Sequence, residues 1–135
     1  MYNKKILYVD DEEIQRNAVK DYLTELGYIV KVCDSPGEAL LVLKDEDYPL
    51  IITDLEMPGM DGFALADHVK ESTSGIPVLL MTGFAGSRIR DRLEASGIDE
   101  MIIKPFRLVQ LREAVMRWMP SRGPSGWTGE ERYDG

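Results

Sequence analysis

The segment "LIITDLEMPGMDG" (residues 50–62) runs through apolar residues to one acid, Asp54, then breaks at a proline and two glycines. A carboxylate at the end of a buried run is costly to desolvate, so its use has to lie in what it meets. Other runs end in the same way. "KILYV" (5–9) leads into Asp10 and Asp11, "PVLLMT" (77–82) ends in Thr82, and "MIIK" (101–104) ends in Lys104 followed by Pro105. Brought together, two of these carboxylates at contact repel by roughly 4 kcal/mol at an effective dielectric of about 20. They must retain protons or hold a cation. Oxygen ligands without thiolate or imidazole suit a hard ion, and Mg2+ is commonly bound by a few carboxylates plus water and phosphate oxygens. A magnesium site open to a phosphoryl group is the chemistry these residue types support.

The elements that must position them alternate. Five apolar runs read as strands: the three just quoted, "YIVKVC" (28–33) and "LIIT" (50–53). Helical spacing fills the gaps. Ile14, Ala18, Tyr22 and Leu26 recur every four residues before Gly27. "SPGE" opens a second helix, with Ser35 as N-cap, Pro36 at the first position and Glu38 completing a capping box. A third begins near Gly62 with Phe63, Ala66 and Val69 on one face. Ser87 is placed to cap a fourth that ends at Gly97, and Leu108, Leu111, Val115 and Met119 form the inner stripe of a fifth. Strand and helix in alternation predict a parallel α/β sheet with helices on both faces. Nearly continuous apolar strands and right-handed crossovers make it doubly wound. Ligand sites in such sheets lie outside the carboxyl ends of the strands, where Asp10, Asp11, Asp54, Thr82 and Lys104 fall.

At 135 residues and a net charge of -8, the chain fits one globular domain, and the charge argues against nucleic acid as a partner. No run is long enough to cross a bilayer and the first residues enter a strand pattern directly, so a cytoplasmic location is expected. Cys33, the one cysteine, is expected as a buried, inert thiol. A single histidine, His68, excludes a three-histidine zinc site and is expected on the solvent side of the third helix, not as a phosphohistidine. Residues 120–135 lack apolar period and are rich in Gly and Pro, which predicts a domain over 1–119 followed by a flexible tail or linker.

"YVDDEE", "ITDLEMPGMDG", "LLMTG" and "IIKPF", in this order and each at a strand end, resemble the signature segments of the receiver domain of bacterial two-component response regulators, over residues 3 to about 119. The resemblance implies a five-stranded parallel sheet of order 2-1-3-4-5 with five helices on both faces. It implies Asp54 as the phosphate acceptor, and Asp10 and Asp11 as acids holding Mg2+, with the main-chain carbonyl of Glu56 as a further ligand. Lys104 would pair with Asp54 and then with the phosphoryl oxygens, Thr82 would supply the switch hydroxyl, and Pro105 would follow a cis bond. The phosphoryl donor would be a histidine kinase or a histidine phosphotransfer protein, and the chain a phosphorelay switch, not an enzyme beyond its own phosphorylation and dephosphorylation. Met101 stands where many receivers carry an aromatic switch residue, and Glu56 and Phe84 occupy rim positions that tune phosphoryl lifetime in the family. Ile14 reads either as an apolar docking contact or as a core or staple residue. Arg88, Arg90, Arg92, Arg107, Arg112, Arg117 and Trp118 mark the face of the fourth and fifth helices that receivers use for output or homodimerisation, or else a solvated face. Three alternatives stay open: a degenerate receiver in which the cluster is only an ion pair, an Mg2+-dependent aspartyl-nucleophile phosphatase with Glu56 as its second acid, and a flavodoxin-type flavin carrier, which "DDEE" after the first strand disfavours.

Overall fold

The computed structural model describes residues 4–72, 75–83 and 86–119. Five strands, β1 (Lys5–Val9), β2 (Ile29–Cys33), β3 (Ile51–Asp54), β4 (Val78–Thr82) and β5 (Glu100–Ile103), alternate with α1 (Glu13–Glu25), α2 (Pro36–Asp45), α3 (Gly62–Ser72), α4 (Ser87–Ala95) and α5 (Leu108–Trp118). All pairings are parallel and the sheet order is β2-β1-β3-β4-β5, as expected.

Alternation along the strands divides the interior into two cores. Leu7, Val9, Ile51, Val78 and Leu80 face α2 and α3, meeting Ala39, Phe63, Leu65, Ala66 and Val69, while Ile89 and Leu93 of α4 pack against the same cluster. Ile6, Tyr8, Ile52, Leu79 and Met81 face α1 and α5, meeting Val19, Leu23, Leu111, Ala114 and Val115. β3 and β4 are buried throughout, whereas β2, at one edge, is buried only at Cys33. Burial raises the Cys33 thiol to about 11, which fits the inert role expected of it.

The structure corrects several local expectations. In α1 the buried residues are Val19 and Leu23; Ile14 and Ala18 are exposed, Leu26 largely so, and Tyr22 is half-buried. A strict four-residue repeat advances about 40° too far per step on a helix of 3.6 residues per turn, so it winds off the sheet-facing side. At α2, Ser35 Oγ accepts from Glu38 N at 3.1 Å, but Glu38 Oε1 accepts from Asp34 N at 3.0 Å, so the reciprocal bond reaches one residue further back than a capping box. Gly86, not Ser87, is the N-cap of α4, and it brings no side-chain bond. Leu108 is exposed at the start of α5, while Leu111, Val115 and Met119 are buried as expected. β5 closes at Ile103, leaving Lys104 one residue beyond its strand. The expected tail (120–135), and Phe84, lie outside the described residues.

Candidate functional site

The sheet brings the sequence candidates to one edge. Asp10 follows β1, Asp54 closes β3, Thr82 closes β4 and Lys104 follows β5. The strand ends are tied to one another: Leu55 N donates to Met81 O at 2.9 Å and Lys104 N to Thr82 O at 2.7 Å. Gly62 lets the "PGMDG" turn fold back tightly, since a Cβ there would sit 2.6 Å from Asp54 O and from Leu80 Cδ1. Alternation puts Asp54 and Lys104 in phase with Ile52 and Ile102, on the α1/α5 side, and Thr82 in phase with Leu80, on the α3 side.

Asp10, Asp11 and Asp54 each offer a carboxylate oxygen to a group lying within 4.8 Å of one another. Asp10 and Asp54 are buried and Asp11 is exposed. Lys104 Nζ lies 2.6 Å from Asp54 Oδ1. That contact pairs the ammonium with the buried carboxylate oxygen. Burial pushes the Asp54 carboxyl above its ordinary range; Lys104 opposes the shift, and Asp10 and Glu56 add to it. Burial alone would lower the Lys104 ammonium, but Asp54, Asp10 and Glu56 together hold it above its usual value. Asp10, Asp11 and Asp54 share this edge of the sheet with the Lys104 ammonium. Three clustered carboxylates, two buried and one open to solvent, with no thiolate or imidazole among them, fit a hard divalent cation such as Mg2+.

Some functional contacts were not read from the sequence. Thr82 Oγ1 donates to Glu56 Oε2 at 3.0 Å, so this rim acid engages the candidate switch hydroxyl directly. Asp10 is held by Tyr8, two residues earlier on the same side of β1, and by Gln15 from α1; the i, i+2 spacing of Tyr8 and Asp10 was the available signal. Arg92 lies 3.5 Å from Asp61 and its guanidinium sits 4.3 Å from the centroid of the Phe63 ring. It thereby clamps α4 over α3 and flanks a cavity of about 570 Å³ beside Glu56 and Met57. Arg117 makes two bonds to Glu100, at 2.9 and 2.8 Å, and Trp118 Nε1 donates to the same carboxylate at 2.6 Å. Arg92, Arg117 and Trp118 therefore have intramolecular work on the face expected for output, while Arg88, Arg90, Arg107 and Arg112 are exposed. Ile14 is 80% exposed, which removes its core reading. His68 is exposed on α3, as expected, and Met101 is half-buried in β5. The Lys104–Pro105 peptide is cis. No helix among the described residues is long and apolar enough to cross a membrane.

The family model "Response regulator receiver domain" matches residues 6–116. Chemotaxis protein CheY-3 of Vibrio cholerae is 35% identical over 114 residues, 82% of this chain and 88% of that protein. Sensor histidine kinase RcsC of Salmonella typhi is 33% identical over 110 residues, again 82% of this chain but 12% of the kinase, so the chain spans only a small fraction of such relatives. Among solved structures, response regulator TrrA of Thermotoga maritima, in complex with Mg2+ and BeF, superposes with a TM-score of 0.78 at 33% identity, covering 85% of this chain and 98% of that one.

Proposed function

The chain belongs to the response regulator receiver domain family, whose members act as phosphorylation-dependent signalling switches and not as classical enzymes, and from that membership we propose how its own residues carry the switch. Asp54 is the acceptor. One of its carboxylate oxygens bonds to the phosphorus of a phosphohistidine on a histidine kinase or histidine phosphotransfer partner, the P–N bond breaks, and the leaving imidazole keeps the electron pair. Phosphoryl transfer of this kind needs alignment and charge stabilisation more than covalent help. Lys104 supplies a fixed positive charge against Asp54 before transfer and against a phosphoryl oxygen after it. Asp10, Asp11 and Asp54, with the Glu56 carbonyl, are the residues that would hold Mg2+, which when bound offsets negative charge on the acids and the phosphoryl group. Thr82 is the hydroxyl that exchanges Glu56 for a phosphoryl oxygen. Exposed Ile14, beside the acids, is an apolar contact for the donor, and the arginine-bearing α4/α5 face is the surface for output or homodimerisation.

One observation carries this reading: the Asp54 carboxylate, at the end of β3, is grouped within 4.8 Å with the two acids after β1 and lies 2.6 Å from the Lys104 ammonium. The phosphatase alternative needs a second acid free to act two residues after the nucleophile, and the Glu56 carboxylate is bonded to Thr82. The test is labelling with a small phosphodonor and Mg2+, followed on a Phos-tag gel. Unaltered protein should give one retarded species and Asp54→Asn none; equal retardation of the variant would overturn the assignment.

A further inference from the structure

We propose that Tyr8 and Gln15 are positioning residues for the metal site, fixing the Asp10 carboxylate so that one lone pair is left to face the cation; the inference rests on the site reading above. All four polar atoms of Asp10 are engaged. Its N donates to Cys33 O at 3.0 Å and its carbonyl oxygen accepts from Arg16 Nη1 at 2.9 Å. Its Oδ1 accepts from Glu12 N at 2.9 Å, and its Oδ2 accepts both from Tyr8 OH at 2.5 Å and from Gln15 Nε2 at 2.6 Å.

A carboxylate has about four acceptor sites, two per oxygen. Two donors fill Oδ2 and one fills half of Oδ1, so the remaining site is on Oδ1. Asp11, by contrast, is exposed, and Asp54 is paired with the charged Lys104 at 2.6 Å. The cluster thus combines one acid oriented by neutral donors, Asp10, one paired with an ammonium, Asp54, and one open to solvent, Asp11.

The two donors come from different elements. Tyr8 is fully buried, its ring set among the residues between β1 and α1/α5, so its hydroxyl has no route to water and its direction is set by core packing. Gln15 is half-buried on the first turn of α1, where its amide turns inward to the same oxygen. Rotation of the Asp10 side chain would strand the Tyr8 hydroxyl in the core, where an unmade hydrogen bond is expensive. Groups that orient a ligand in this way commonly alter metal affinity when removed.

The test is calorimetric titration of the full chain with MgCl2, beside thermal unfolding in EDTA. Tyr8→Phe keeps the ring and removes only the hydroxyl; Gln15→Leu removes the second donor from a half-buried site and leaves the core intact. Each should weaken Mg2+ binding by about tenfold. Tyr48→Phe is the matched control, because buried Tyr48 donates to Glu46 at 2.7 Å ahead of β3, away from the acids; its Mg2+ affinity should equal that of the unaltered chain. Tyr8→Phe and Gln15→Leu binding Mg2+ as tightly as the unaltered chain, whatever their melting temperatures, would overturn the inference. Failure of the unaltered chain to bind Mg2+ is a separate result, and it would overturn the metal site together with this inference.

Discussion

Thr82 has one hydroxyl proton to donate, and it is committed to Glu56 at 3.0 Å. A bond from the same proton to a phosphoryl oxygen on Asp54 would exclude that contact, so on the proposed reading the phosphorylated state gives it up. The Glu56 charge also raises the Asp54 carboxyl and would repel an incoming phosphoryl dianion. Glu56→Gln keeps an acceptor for Thr82 but removes the charge, and Glu56→Ala removes both. Labelling by a small phosphodonor should accelerate in the order unaltered, Gln, Ala, by about fivefold overall, which corresponds to roughly 1 kcal/mol. A slower Glu56→Ala would show that the acid assists transfer. At this scale Asp10, Asp11, Asp54, Thr82 and Lys104 were legible because each ends or follows an apolar strand, and the fold rule for strand ends does the rest. The Glu56–Thr82 bond was not legible: it joins the loop after β3 to the last residue of β4, 26 residues apart, through side-chain rotamers, which spacing does not encode.

Helix α3 depends on its first residue more than on its length. Gly62 N donates to Leu55 O at 3.0 Å, and a methyl group at Gly62 would meet Asp54 O and Leu80 Cδ1, each at 2.6 Å. One of those contacts is backbone, so relief requires shifting the end of β3 or lifting the helix. Gly62→Ala should therefore destabilise the protein by about 1–3 kcal/mol, as overpacked sites do, and slow phosphorylation because the Asp54 backbone moves. Gly37, in α2, has nothing within 4 Å of an added Cβ. Gly37→Ala should be neutral or stabilising by up to about 1 kcal/mol. Urea denaturation of both variants checks the contrast, and equal effects would refute it. Element order and the faces of α3 and most of α5 were readable because apolar period carries them, whereas the sheet order came with the receiver resemblance and not from any local pattern. The buried side of α1 was not readable: Ile14 and Leu26 are as apolar as Val19 and Leu23, and docking on β1 and β2 decides which residues turn inward. The cap of α4 was missed for a similar reason, since Ser87 and Gly86 are adjacent and local preference favours the serine.

Across the whole molecule, the two cores on either side of the sheet provide the stability, and the acidic edge draws on it. Folding raises the Asp54 carboxyl above its ordinary value, burial being the main cause. A group raised in this way supports the fold fully below its unfolded value, and that support is lost as pH rises through the folded value. At neutral pH without metal, Asp54 therefore gives the fold less support than it does in acid, in a chain of net charge -8. Two consequences follow for unfolding measured in denaturant. In EDTA at neutral pH, Asp54→Asn should be more stable than the unaltered protein, and the difference should shrink as the solution is acidified through the carboxylate range. With Mg2+ at about one hundred times its dissociation constant, a cation bound only by the folded chain adds about 2.7 kcal/mol. That increment should appear in the unaltered protein and be much smaller in Asp54→Asn, whose amide offers no charge to the ion. Mg2+ stabilising both proteins equally would place the cation away from Asp54, and with it would go the link between the acidic edge of the sheet and phosphoryl chemistry.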